Sequence, residues 1–228
     1  MRKIYVYGCS FTYGNHWPKV HNDKGEDYLP PNTWPYMLDL GFDYQVINRS
    51  EQGFGWNEVM DTILYDIPKY TPYDLCIIQV PYLLRLYFKY FSRGLHSKHD
   101  WVTLAEKGEK KFLDLIPSYE YIVDVWKRDM EAVLDIVRIT GIDYYWWFTD
   151  KDTGIKQERR IKSGNHIDRL LTFENDKYYG YENWMKNNLD IRFMPSDHHQ
   201  NKKGHELQAE MFSRQIMERR DGTKVKFK

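Results

Sequence analysis

The stretch "KIYVYGCSFTYGNHW" (Lys3–Trp17) decides how the rest of the chain is read. Ile4–Tyr7 is short, apolar and rich in β-prone side chains, as expected of a central strand. It runs without a linker into Gly8-Cys9-Ser10-Phe11-Thr12-Tyr13-Gly14, where two glycines bracket a serine. Two readings compete. In one, the glycines mark an ordinary turn and Ser10 caps the next helix. In the other, the turn holds the Ser10 hydroxyl beyond the end of a sheet, where it can attack a substrate.

Outward from this stretch, the chain alternates strands and helices. "YQVIN" (Tyr44–Asn48), "DLCIIQV" (Asp74–Val80), "IDYYWWF" (Ile142–Phe148) and "LDIRFM" (Leu189–Met194) predict four further strands. The run at Asp74–Val80 is nearly continuous in apolar residues, the pattern of a strand covered on both faces. A short helix capped by Asn32 or Thr33 is expected to end near Gly41. Asn57 is expected to cap a helix with Val59, Met60, Ile63, Leu64 and Ile67 on its inner face. From Ser118, the residues Ile122, Trp126, Met130, Val133, Leu134 and Val137 form one helical stripe. A last helix, Lys203–Arg219, packs through Leu207, Met211, Phe212 and Ile216. This order predicts an α/β protein, a three-layer α/β/α sandwich around a mainly parallel five-stranded sheet. A single domain over 1–228 is expected, with loop insertions at about 81–117 and 150–181, the second a polar lid.

Composition narrows the function classes. The 228 residues suffice for one sizeable core. Lys plus Arg equals Asp plus Glu, 33 against 33, so no long-range attraction to nucleic acid or to an anionic membrane is expected. The two cysteines, Cys9 and Cys76, make no disulfide framework and fit a reducing compartment. The apolar stretch after Met1-Arg2-Lys3 is shorter than the ~7–15 residues of a secretory signal. No run approaches the ~18–20 apolar residues of a membrane span. A soluble, cytoplasmic protein is the expectation. With 19 Tyr and 8 Trp, aromatic-rich cores and loops are expected ahead of a sugar-stacking surface.

A serine needs a base, and "PSDHHQNKKGHE" (Pro195–Glu206) offers one. Asp197 and His199 stand two apart, and a carboxylate beside an imidazole fixes its tautomer and stabilises its charged form. "NRSEQGFG" (Asn48–Gly55) offers Gly53 and Gly55, whose backbone can turn N–H groups toward an oxyanion, and the Ser10 amide is another such donor. Cys9, opposite in alternation to Ser10, is read as a buried, inert thiol. A metal site from His198, His199 and His205 is disfavoured, because no cysteine pair or second acidic cluster stands at ligand spacing.

These residues resemble a family. "GCSFTYG" is similar to the first block of the GDSL, or SGNH, hydrolases, with Cys9 in place of the aspartate. Asn48 and Gly53 match the second block. "DHHQNKKGHE" resembles the last, Asp-x-His-Pro-Asn-x-x-Gly-His, with Gln200 in place of proline. The resemblance implies a flavodoxin-like sandwich, Ser10 as nucleophile, His199 as base, Asp197 as its orienting acid, and the Ser10 and Gly53 amides as oxyanion donors. Two departures accompany it. Ser196 occupies the usual place of the aspartate, a spacing that resembles some phage-encoded members. The third block, Gly-x-Asn-Asp, is missing; "QVPYLLR" (Gln79–Arg85) stands there, with Leu83 near the asparagine's position. Gln79, Tyr82 and Arg85 are the candidate replacements for a side-chain donor whose loss costs ~10²–10³ in rate. Ser163-Gly164-Asn165-His166 spells the family's initials in the polar insertion and is given no role.

The function so implied is ester hydrolysis through a Ser-His-Asp triad and an acyl-enzyme, without a cofactor. Its substrate would be a small-molecule or glycan ester, O-acetyl groups on a carbohydrate included. An acyltransferase would use the same triad. A catalytically degenerate module binding glycan or protein is the reading that the missing third block favours.

Overall fold

In the computed structural model, four of the five expected strands form one parallel sheet. The structure describes residues 1–13, 20–21, 27–28, 33–51, 54–81, 119–149, 166–174, 177, 180–192 and 199–221. In chain order the strands are β1 (Arg2–Tyr7), β2 (Val20–His21), β3 (Asp27–Tyr28), β4 (Tyr44–Asn48), β5 (Leu75–Val80) and β6 (Asp143–Phe148). The small β2–β3 pair is antiparallel and separate. The main sheet has the order β4-β1-β5-β6, with Ile4 opposite both Val46 and Leu75, and Ile77 opposite Tyr145. The helices are α1 (Ser10–Tyr13), α2 (Trp56–Asp66), α3 (Tyr119–Ile139), α4 (Tyr181–Asn187) and α5 (Lys202–Arg220).

Successive side chains of a strand point to opposite faces, and the core divides accordingly. Tyr5, Tyr7, Cys76, Ile78, Tyr144 and Trp146 face one way and pack with Val59 and Ile63 of α2 and with Met130, Leu134 and Val137 of α3. Ile4, Val6, Leu75, Ile77, Tyr145 and Trp147 face the other way and meet Trp34, Trp184, Phe212 and Ile216. Burying each such side chain stabilises the fold by roughly 1.5–3 kcal/mol. Three layers result, as the alternating pattern predicts.

Several local expectations give way to tertiary packing. Leu189–Ile191 is a 3-10 turn, and Arg192 makes only an isolated antiparallel bridge with Gln200, so no fifth strand forms among the described residues here. The Asn188 amide explains the turn: its Nδ2 donates to the Trp184 carbonyl at 2.9 Å and to Glu174 Oε1 at 2.7 Å. Trp34–Tyr36 is likewise a single 3-10 turn rather than a helix running to Gly41. The helix expected to be capped by Asn57 is capped two residues earlier, at Gly55, whose N–H donates to Glu58 Oε2 at 3.1 Å. Leu64, expected on its inner face, is exposed. Within the stretch expected as a polar lid, Leu170, Leu171 and Phe173 are fully buried in the core. Ser118 and residues 82–117 lie outside the described residues.

The sheet order places the site. From β1 the chain moves to β4 on one side; from β5 it moves to β6 on the other. The carboxyl ends of β1 and β5 therefore flank a topological switch point, where such sheets bind ligands. Among the described residues, no helix is long and apolar enough to cross a membrane.

Candidate active site

Ser10 stands at that switch point. Gly8 directly follows β1, and α1 begins at Ser10, with Thr12 and Tyr13 N–H groups both donating to the Cys9 carbonyl at 3.0 and 2.9 Å. Gly8 is required by space: a Cβ there would lie 2.7 Å from Gln79 Cβ and 2.8 Å from Thr12 Oγ1. Cys9 is buried and forms no disulfide, and its Sγ accepts from Gln79 Nε2 at 3.1 Å.

The second half of the site comes from the segment before α5. Asn201 fixes this segment from both sides. Its Oδ1 accepts the Gly204 N–H at 3.0 Å and caps α5, while its Nδ2 donates to the carbonyls of Asp190 and Arg192 at 2.8 and 3.0 Å. Gly204 allows this close approach, because a Cβ would meet Gln200 Cβ at 2.7 Å and the Ile191 carbonyl at 2.9 Å. The result is that His199 Nε2 lies 2.9 Å from Ser10 Oγ, between residues 189 apart in sequence. The imidazole also stacks on the Phe11 ring at a centroid distance of 4.5 Å and an interplanar angle of 22°. Phe11 in turn packs on Tyr181 at 4.9 Å. Ser10 and His199 thus lie within the distance at which a proton can pass between a hydroxyl and an imidazole. Sequence reasoning missed the Phe11 platform, although its place directly after the serine was the available signal.

Gln79, expected among the oxyanion donors, is fully buried at the end of β5, with its amide engaged on both sides by Cys9, Thr12 and Thr149. Asn48 Oδ1 accepts the Ser50 N–H at 3.0 Å and shapes the turn after β4. Asp197, His198, Gly53, Tyr82 and Arg85 lie outside the described residues. His166 sits away from this site, with Nδ1 2.5 Å from the Tyr144 hydroxyl and Nε2 3.3 Å from Asp135. Among the described residues, no group of three His, Cys, Asp or Glu is arranged to hold a metal ion.

His205 sits in the first turn of α5. It is 2% exposed, and its Nδ1 accepts from the Trp34 N–H at 3.3 Å and from Gln200 Nε2. Burial, and then the neighbouring His199, push its pKa down to about 3. The unfolded chain, with an ordinary histidine near ~6.5, binds the proton more readily, so stability rises with pH across this window. The contribution is fully present above ~6.5 and is lost as pH falls toward the folded value, at up to about 1.4 kcal/mol per pH unit. Urea unfolding at pH 7 and pH 5 is expected to differ by about 2 kcal/mol, and His205→Gln is expected to remove most of that difference. Equal pH slopes in the two proteins would contradict this assignment.

No family model matches the sequence, and no curated protein matches it. Solved structures do match. The structure of TesA aligns over 94% of this chain and 98% of its own, with TM-score 0.56 and 11% identity. The psychrotrophic esterase EstA from Pseudoalteromonas sp., in a structure inhibited by monoethylphosphonate, aligns over 97% and 100%, with TM-score 0.55 and 12% identity. A member of the lipolytic G-D-S-L family from Veillonella parvula aligns over 92% and 96%, with TM-score 0.51 and 11% identity. At such identities the likeness is one of fold, and it extends over nearly the whole of each chain: this protein has the α/β/α fold in which those three proteins are built.

Proposed function

We propose that this protein is a serine hydrolase that cleaves esters through an acyl-enzyme. The observation that carries the reading is the 2.9 Å approach of His199 Nε2 to Ser10 Oγ at the switch point of the sheet. Ser10 Oγ bonds to the ester carbonyl carbon as His199 takes its proton. The tetrahedral intermediate then expels the alcohol, which leaves with that proton. Water, deprotonated by His199, attacks the acyl-enzyme; the acid departs and Ser10 regains its hydrogen. Asp197 takes the role of the acid that orients His199, and the amides of Ser10 and Gly53 that of donors to the oxyanion. The chemistry requires no cofactor.

Support for an ester as substrate comes from the neighbours in fold, which include an esterase and a lipolytic protein. We propose a small-molecule or glycan ester. Among the described residues, Trp34, Trp56, Trp146, Trp147 and Trp184 are buried in the core and add no support for the glycan.

A fluorophosphonate probe tests the reading, because only an activated serine reacts with it. Labelling of the wild-type protein is expected, with none in Ser10→Ala and strongly slowed labelling in His199→Gln. A wild-type protein that resists the probe would leave the fold without the chemistry.

A further inference from the structure

We propose that Gln79 is a positioning residue for the nucleophile: its buried amide ties the turn that carries Ser10 to the ends of β5 and β6. The proposal rests on Ser10 being the nucleophile. An amide in an otherwise apolar, wholly buried strand costs stability unless its hydrogen bonds are made. Here they are. Gln79 Oε1 accepts the Cys9 N–H at 2.9 Å and the Thr12 hydroxyl at 2.6 Å. Gln79 Nε2 donates to Thr149 Oγ1 at 2.7 Å and to Cys9 Sγ at 3.1 Å. The Thr149 hydroxyl passes the chain on to the Val80 carbonyl at 3.1 Å.

The direction of every bond follows from one of them. A backbone N–H can only donate, so Oε1 must face Cys9 and the NH₂ must face Thr149. With its lone pair taken by Gln79, the Thr149 hydroxyl hydrogen is left for Val80. The bare Cα of Gly8 makes room for this amide, as a Cβ would collide with Gln79 Cβ and Oε1. Cys9 and Thr12 flank Ser10, so Gln79 holds the serine's turn on both sides. Misplacing a reacting group by ~1 Å can cost ~10² in rate. The same commitments take Gln79 out of the candidates for touching a substrate oxyanion.

The test compares Gln79→Leu, similar in size without polar atoms, and Gln79→Glu, whose carboxylate can accept from Cys9, Thr12 and a rotated Thr149 hydroxyl. Turnover of a short-chain ester is followed at a temperature where circular dichroism shows each variant folded. Gln79→Leu is expected to lose ~30–100-fold in kcat with KM within about twofold, and Gln79→Glu to recover at least ~10-fold of that loss. A kcat for folded Gln79→Leu within about threefold of wild type overturns the proposal; so do Leu and Glu variants impaired alike, which would mark packing alone. Should Gln79→Leu fail to fold, Thr12→Val removes one donor to Oε1; a ~5–10-fold fall in kcat at constant KM supports the proposal and an unchanged kcat overturns it. Wild-type turnover that is absent or independent of Ser10 defeats the hydrolase reading and this inference with it. Ser10-dependent turnover indifferent to Gln79 defeats this inference alone.

Discussion

Ester turnover by Ser10→Ala is expected to fall ~10⁴-fold or more, His199→Ala to fall by a similar factor, and the double variant to fall no further. The reason is geometric. In the proposed mechanism the hydroxyl gains nucleophilicity only as the imidazole 2.9 Å away takes its proton. Removing either partner forfeits the joint contribution, so the second substitution finds nothing left to remove. Steady-state kinetics on the three variants checks this. Losses that multiply would mean that the two side chains act independently, and the proposed mechanism would then be wrong. Residual rate above water, from backbone donors and substrate binding, is expected in all three.

The second large effect concerns stability. Asp66, at the end of α2, has no exposed surface, yet it is surrounded by donors. Arg49 Nε and Nη2 reach its carboxylate at 2.8 and 3.2 Å, Lys69 Nζ at 2.6 Å, and the Tyr7 hydroxyl at 3.1 Å. Tyr70 lies a further 2.6 Å from the Tyr7 oxygen, so it donates where Tyr7 accepts. Burial alone would raise the Asp66 pKa; the hydrogen bonds from Lys69 and Arg49, the Arg49 charge and the Tyr7 hydroxyl outweigh it and hold the carboxyl below its usual range. Its contribution is therefore present above the ordinary carboxyl value and lost as pH falls through the folded one.

Asp66→Ala is expected to cost about 3 kcal/mol, the low end for breaking a buried pair. The low end applies because Arg49 and Lys69 keep 39% and 40% exposure and can be rehydrated, whereas the buried Tyr7 hydroxyl cannot. The thermal midpoint should drop by roughly 6–12 °C. Asp66→Asn keeps an acceptor for Tyr7 and should cost less. A midpoint within ~2 °C of wild type in Asp66→Ala would show that the network contributes little. Tyr7 is the last residue of β1, directly before Gly8, so loosening here also reaches the serine's turn.

The sequence made the sheet legible because the strands at Ile4, Val46, Ile77 and Tyr145 are apolar runs, whose partners need not be known in advance. It made Ser10 and His199 legible because each sits among glycine and asparagine whose spacing has a backbone cause, now visible at Gly8, Asn201 and Gly204. The failures have one physical source. At Leu189–Ile191 the residue pattern suits a strand, but Asn188 bonds to Trp184 and Glu174 and turns the chain. At Leu170–Phe173 the surrounding polarity suggested a lid, while these few apolar residues were core. Gln79 shows the limit most clearly. A polar residue in an apolar strand announces that it has partners, but whether they are substrate or backbone is settled only by the neighbouring turn.

The separation of 189 residues between the serine and its base has a bearing on synthesis. As the chain emerges from the ribosome, β1 precedes both strands that flank it and the imidazole proposed to activate Ser10. On the proposed mechanism, prematurely terminated products would carry a serine with no proton acceptor, and hydrolytic competence would arrive in a single late step.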